Sequence, residues 1–256
     1  MHRVDKIEVF GRNLRTDDKL EELGKSSYEV LREMVRRGDD KEKILGFIDY
    51  IQDESKWLHD LYCDWCYADM DYVAKTFGEE ELPKMLRHVR EILMKASYRS
   101  QGKIELMDNI RLFAEAMRVH RSGVGERGNI KIWEEEDRYV MEFDPCGSGG
   151  RQRRVGEIDG ILPRTGEPFN MGCTSKAYDW SWQKKGVPYY CLHCCIWHEV
   201  MMIEQAGFPA RITDYQDDPN QPCRWYFYKD PKNVPEEYYI RVGLKKHNKL
   251  KKQQVD

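Results

Sequence analysis

The sequence predicts an α+β fold, and three observations predict it. Apolar residues recur at helical spacing through most of the first 122 residues. Beyond them the pattern changes to short alternating segments, separated by stretches dense in turn-forming residues. One further helical segment, residues 189–207, interrupts that texture and concentrates Cys and His. A helical region over 1–125 and an α+β region over 126–256 with a small antiparallel sheet are expected. The change falls in "SGVGERGN", residues 122–129.

The elements follow in order. "SSYEVLREMVRRG" opens on serines, places Glu29 early and stops at Gly38, which predicts a helix. Residues 39–78 keep apolar positions at helical spacing, with a junction between two helices expected near "QDES". "EEELPKMLRHVREILMKAS" carries Pro83 in its first turn, where a missing N–H is harmless. "KIELMDNIRLFAEAMRVHRSG" is the last strong helix of this half, with Gly123 as its stop. "GNIKIWEEEDRYVMEFD" alternates on both sides of "EEED" and reads as a β-hairpin. A Gly-rich loop, "PCGSGGRQRRVGEIDG", follows, and residues 155–187 are irregular. "YYCLHCCIWHEVMMIEQAG" reads as a helix ended by Gly207; "FPARIT" and "CRWYFYK" read as strands, with "PEEYYIRV" a further strand candidate.

Composition bounds the function. Of 256 residues, 40% are hydrophobic and 34% charged, so a core can form beneath a well-solvated surface. The formal net charge of −3 argues against a general nucleic-acid binder. The basic end "LKKHNKLKKQQ" is read as a frayed tail. No run of about 18 apolar residues is present to span a membrane, and the first residues lack the pattern of a secretory signal. A cytoplasmic protein is expected, with a homo-oligomer left open. Disulfides are disfavoured there, so the cysteines at 63, 66, 146, 173, 191, 194, 195 and 223 point to metal binding, thiol chemistry or inert burial.

Three constellations concentrate that chemistry. At 100° per residue, Cys191, Cys194, Cys195 and His198 share one helix face, while His193 points roughly the opposite way. Thiolate and imidazole are preferred zinc ligands, although Met201 and Met202 continue the face as a core stripe would. "HEVMM" is not the zincin signature, because position 202 is Met. His59, Cys63 and Cys66 form a mirrored H-x3-C-x2-C stripe that could face the first and share a metal or an iron–sulfur cluster. Its aromatic company favours a packed helix instead. "FDPCGSGGR" exposes a flexible backbone that could cradle an anion or stabilise a thiolate at Cys146, with three arginines just beyond. It is neither a Walker loop nor a dinucleotide fingerprint.

With "VAKTFGEEELPKML", "DPCGSGGR", "YCLHC", "AGFPARI" and "PCRWYFYK" in this order, the chain resembles in layout a group of bacterial proteins related to L-2-amino-thiazoline-4-carboxylic acid hydrolase. The resemblance touches about two-thirds of the chain, by the extent of those segments along a single-domain-sized sequence. It implies a small carboxylated substrate and hydrolytic opening of a ring at a C–N bond. It transfers no catalytic residue, and Cys195 and the "CDWC" pair depart from the pattern.

The leading expectation is an enzyme acting on a small anionic molecule. Zinc, or alternatively iron or an iron–sulfur cluster, would be held by Cys191, Cys194, His198 and Cys146. Arg151 and the segment Gly147, Ser148, Gly149 and Gly150 would hold the substrate carboxylate, with Glu199 the nearest candidate general base. Four protein ligands would instead make a closed, structural site in a sensing or interaction module. A third reading has no metal: Cys146 as nucleophile with His193 or His198 as base.

Overall fold

The computed structural model describes residues 3–7, 12–96, 105–120, 130–155 and 162–246. It is α+β, as the periodicities predict, and divides into two units, Met1–Leu61 and Tyr62–Asp256. The textural boundary at 122–129 lies outside the described residues, as does the Gly123 stop.

The first unit opens on a feature the sequence did not announce. Strands β1 (Val4–Ile7) and β2 (Arg12–Arg15) pair antiparallel, Val4 opposite Arg15 and Ile7 opposite Arg12. Four-residue strands with so many charges have too short an alternation to read. Helix α1 (Ser27–Arg37) ends on Gly38 at φ 73°, the left-handed stop that glycine adopts without strain. Helix α2 (Lys41–Phe77) starts where Asp40 Oδ1 accepts from the Glu42 and Lys43 amides. It runs unbroken through "QDES" and into the second unit, because those residues all tolerate a helix and no Gly or Pro interrupts them. Phe47, Tyr50 and Ile51 of α2 bury against Val30 and Met34 of α1.

In the second unit, Cys63, Tyr67, Met70 and Ala74 form the buried stripe of α2 and pack in one core with Leu82 and Leu86 of α3 (Leu82–Ala96). Cys63 is thus a core residue, its Sγ 3.1 Å from Tyr190 Oη, whereas Cys66 is exposed. Helix α4 (Leu106–Met117) sets Ile110 and Ala114 on a second core. That core is shared with the sheet, whose strands β3 (Ile130–Glu134), β4 (Arg138–Phe143), β5 (Ile212–Asp214) and β6 (Cys223–Tyr228) lie in the order β3-β4-β6-β5, all antiparallel. Alternation on β4 and β6 turns Met141, Phe143, Trp225 and Phe227 inward onto α4.

Between β4 and β5 lies the Cys-rich helix, and it is not uniform. A 3₁₀ turn at Tyr189–Cys191 leads into α5 (Leu192–Cys195), a π turn at Ile196–Val200, and α6 (Met201–Ala206), stopped by Gly207 at φ 86°. The strand expected at "PEEYYIRV" is instead a short helix, α7 (Glu237–Ile240). Pro235 presets the backbone of its first turn and the acidic residues suit a helix start. Among the described residues no helix is long and apolar enough to cross a membrane.

Candidate functional site

The mixed helix decides which side chains meet. A single 100° step does not hold across 3₁₀, α and π turns, so the predicted common face is redistributed. In the π turn the Met201 amide donates to Ile196 O, five residues back. The His198 carbonyl accepts instead from the Ala210 amide at 2.8 Å. That bond ties the segment leading into β5 to the helix and carries Arg211 in over Cys194.

A cavity of about 380 Å³ opens beside this helix. Of the residues picked out in the sequence, Cys146, Ser148, Gly149, Gly150, Cys191, His193, Cys194 and His198 all line it. Gly147, Arg151 and Glu199 are not among its lining residues. The Gly-rich loop reaches the helix because Gly149 has no side chain: a Cβ there would stand 2.4 Å from Cys191 Sγ. The loop amides of Arg151 and Arg153 donate to the carbonyls of Cys146 and Gly150, so the loop holds its own shape.

Cys194 is the chemical centre. Its Sγ lies 3.5 Å from His193 Nε2, and Arg211 Nη2 donates to it at 3.4 Å. The other ring nitrogen of His193, Nδ1, faces the Tyr190 carbonyl, which can only accept. Nδ1 therefore carries a proton, and Nε2 is left to exchange one with the thiol. Burial pushes the Cys194 thiol up, but the positive charges of His193 and Arg211 and their hydrogen bonds outweigh it and bring it down to about 6. Burial lowers the basicity of His193, yet the neighbouring Cys194 reverses that and raises it above the ordinary histidine value. The two partners move in opposite directions, as a thiolate–imidazolium pair requires. By contrast, burial raises Cys191, Cys195 and Cys223.

Arg211 is the second positive charge on the Cys194 sulfur, after His193. It is 1% exposed, stacks 3.3 Å over the Trp225 ring and donates from Nη1 to Thr213 Oγ1. The sheet register sets Thr213 opposite Trp225, which aligns this support. Among the described residues no carboxylate pairs with Arg211, and its Nε is buried without an acceptor. A guanidinium cannot shed its proton, and a buried charge needs a counter-charge. The sulfur of Cys194 is the group in place to supply it.

The remaining candidates separate by role. Arg151 is turned away and buried, donating from Nη2 to Asp64 Oδ1 at 2.7 Å; Asp64 also holds Arg164, so the loop is clamped to α2. Two residues on, Arg153 enters the cavity instead. Its guanidinium is fixed by Tyr215 Oη and the carbonyls of Gln216 and Asp217, and its Nε is buried without an acceptor among the described residues. Glu199 is fully buried and builds structure: Oε1 accepts from Trp182 Nε1 and the Thr213 amide, Oε2 from Arg241. His198 lies edge-on to Phe113, with ring centroids 5.4 Å apart. Cys146 lies near Ser148 Oγ, at 3.7 Å, and among the described residues no imidazole hydrogen-bonds to it.

Zinc and iron need three or more donors aimed at one point. Among the described residues no three His, Cys, Asp or Glu side chains converge in that way. Cys146, Cys191, Cys194 and His198 share the cavity without forming a ligand set, because Cys191 packs over Gly149, Cys194 pairs with His193 and His198 turns to Phe113. In this arrangement the four donors do not converge on one point, and the thiol and imidazole in contact are those of Cys194 and His193. Sequence reasoning did not single out Arg153 or Arg211; nothing in "RQRR" marks which arginine faces inward, and "FPARIT" reads only as a strand. Compared with protein-family models, curated proteins and solved structures, the chain matches none.

Proposed function

We propose that the protein is a cysteine-dependent hydrolase of small anionic molecules, with Cys194 as nucleophile and His193 as its acid–base partner. The observation that carries this reading is the buried Arg211, paired with no carboxylate among the described residues and 3.4 Å from Cys194 Sγ. The thiolate adds to an electrophilic carbon of the substrate, forming a C–S bond. The His193 imidazolium gives its proton to the departing nitrogen or oxygen. Water then attacks the covalent intermediate, neutral His193 takes its proton, and the C–S bond breaks to return the thiolate. Arg211 holds the charge on sulfur at both ends of this cycle. The layout resemblance, with its C–N hydrolysis of a carboxylated compound, fits the same scheme.

Charge selects the substrate class. Arg90, Arg153 and Arg211 line the cavity, and no Asp or Glu does among the described residues. Arg153 is placed to take the anionic group. Iodoacetate and iodoacetamide test this, since they carry the same reacting carbon with and without a negative charge. An unassisted thiolate disfavours the anion by simple repulsion. Here iodoacetate should label Cys194 about tenfold faster than the amide, the low end of electrostatic enrichment in a focused cleft. Arg153→Gln should reverse the preference. Faster labelling by the amide, or label spread over the exposed Cys66, would contradict the reading.

A further inference from the structure

The cavity has a second wall that the thiol chemistry does not use. It is formed by the end of α3 and one face of α4, through Leu93, Met94, Leu112, Phe113 and Met117, with Arg90, Asn109 and His120 from the same elements and their ends also lining the cavity. Leu93, Met94 and Leu112 are 50%, 49% and 37% exposed while they line the cavity. Such a wall leaves apolar surface in water that only an apolar occupant would cover.

Arg153 lies over the Tyr215 ring at 4.8 Å, and both line the cavity together with Cys191. Three residues on stands Cys194, with Arg211 against it. Arg211 in turn lies 5.7 Å from the ring centroid of Phe113, which opens the apolar wall. One cavity thus holds the Arg153 cation, the Cys194 thiol with Arg211 against it, and, next to Arg211, the apolar wall.

We propose that the cavity binds organic monocarboxylates that carry an alkyl or aryl arm, with the carboxylate at Arg153 and the arm along the α3 and α4 wall. This rests on the reading of Cys194 as nucleophile, because one cavity holds head, arm and reacting carbon. A polar amino acid or a bare inorganic anion would leave the wall wet. An amine would meet Arg153 and Arg211 as like charges.

The test uses the full chain with Cys194→Ser, which removes the nucleophile and keeps the cavity. Straight-chain monocarboxylates from butanoate to octanoate are titrated by calorimetry, with octylamine as control. Each added methylene should tighten binding about fourfold, the transfer value for a buried CH₂. Leu112→Ser, which removes apolar surface from the wall without adding charge, should flatten the series. An affinity independent of chain length, or octylamine binding as tightly as octanoate, would overturn the proposal. If Cys194→Ser does not fold, protection of Cys194 from labelling by the same acids in the native protein gives the same series. Failure of the series with normal labelling at Cys194 would discard the apolar arm and keep the nucleophile. Failure of the labelling itself would discard the nucleophile.

Discussion

Replacing His193 by glutamine should move the pH of half-maximal labelling at Cys194 from about 6 to above 8.5. Burial acts on this thiol more than any other influence and acts upward; His193 is the largest opposing charge and Arg211 the next. Without the imidazolium, one guanidinium must oppose the whole cost of burying a thiolate. The direction of the pH effect follows. In the native protein the nucleophile is present above about pH 6 and is quenched by protonation below it. In the variant an ordinary or raised thiol would be protonated throughout the neutral range. The same substitution removes the proton donor for the leaving group, so turnover should fall by about 10² to 10⁴, the usual contribution of a positioned acid–base group. Iodoacetamide labelling against pH, with the labelled peptide identified by mass, reads the shift. An unmoved midpoint in the variant would show that His193 does not set the charge of Cys194.

Glu199→Ala should destabilise the protein by about 3–5 kcal/mol, the cost of removing one partner from a buried, hydrogen-bonded charge pair. The carboxylate joins the π turn to Trp182, to the Thr213 amide of β5 and to Arg241 just beyond α7. Its loss strands an indole N–H, a backbone N–H and part of a guanidinium around an empty space. Urea unfolding followed by circular dichroism measures the change. Glu199→Gln, which keeps an acceptor for the two N–H groups, should cost less than Glu199→Ala and serves where the alanine variant does not fold. A general base would behave differently, losing turnover at unchanged stability. An alanine variant as stable as the native chain would return Glu199 to the catalytic reading.

The two predictions mark how far the sequence could be read. The segments that build the cavity were legible because their chemistry is local. "PCGSGGR" and "YCLHCCIWH" each hold several reactive or backbone-exposing residues within one turn or two, and both reach the same cavity. The assignment of roles within them was not legible, since it depends on angles. A uniform helix sets His193 about 100° from Cys194 and off the face that Cys194 shares with Cys191 and His198, yet the two side chains meet 3.5 Å apart as sequence neighbours within α5. Arg211 was missed, and Arg153 was not told apart from Arg151 and Arg154, for a related reason. A buried arginine has the same letter as a solvated one, and only the pairing of β5 with β6 and the bond from Ala210 to His198 bring Arg211 to the sulfur. At the fold level, long periodic helices and the β3–β4 hairpin were readable. The four-residue strands of β1 and β2 and the single turn of α7 were too short for any period to show.

The central claim is that Cys194 is a thiolate at neutral pH, and its labelling rate against pH in the native protein tests that most directly. At pH 6 a thiol of pKa about 6 is half ionised, against about 0.3% for an ordinary cysteine. The weaker intrinsic nucleophilicity of a low-pKa thiolate takes back roughly tenfold, leaving a net advantage of about tenfold over a free thiol at that pH. The account predicts a labelling curve for the Cys194 peptide with its midpoint near 6 and a plateau through neutrality. A curve that rises only above pH 8.5, as for an unperturbed cysteine, would contradict it.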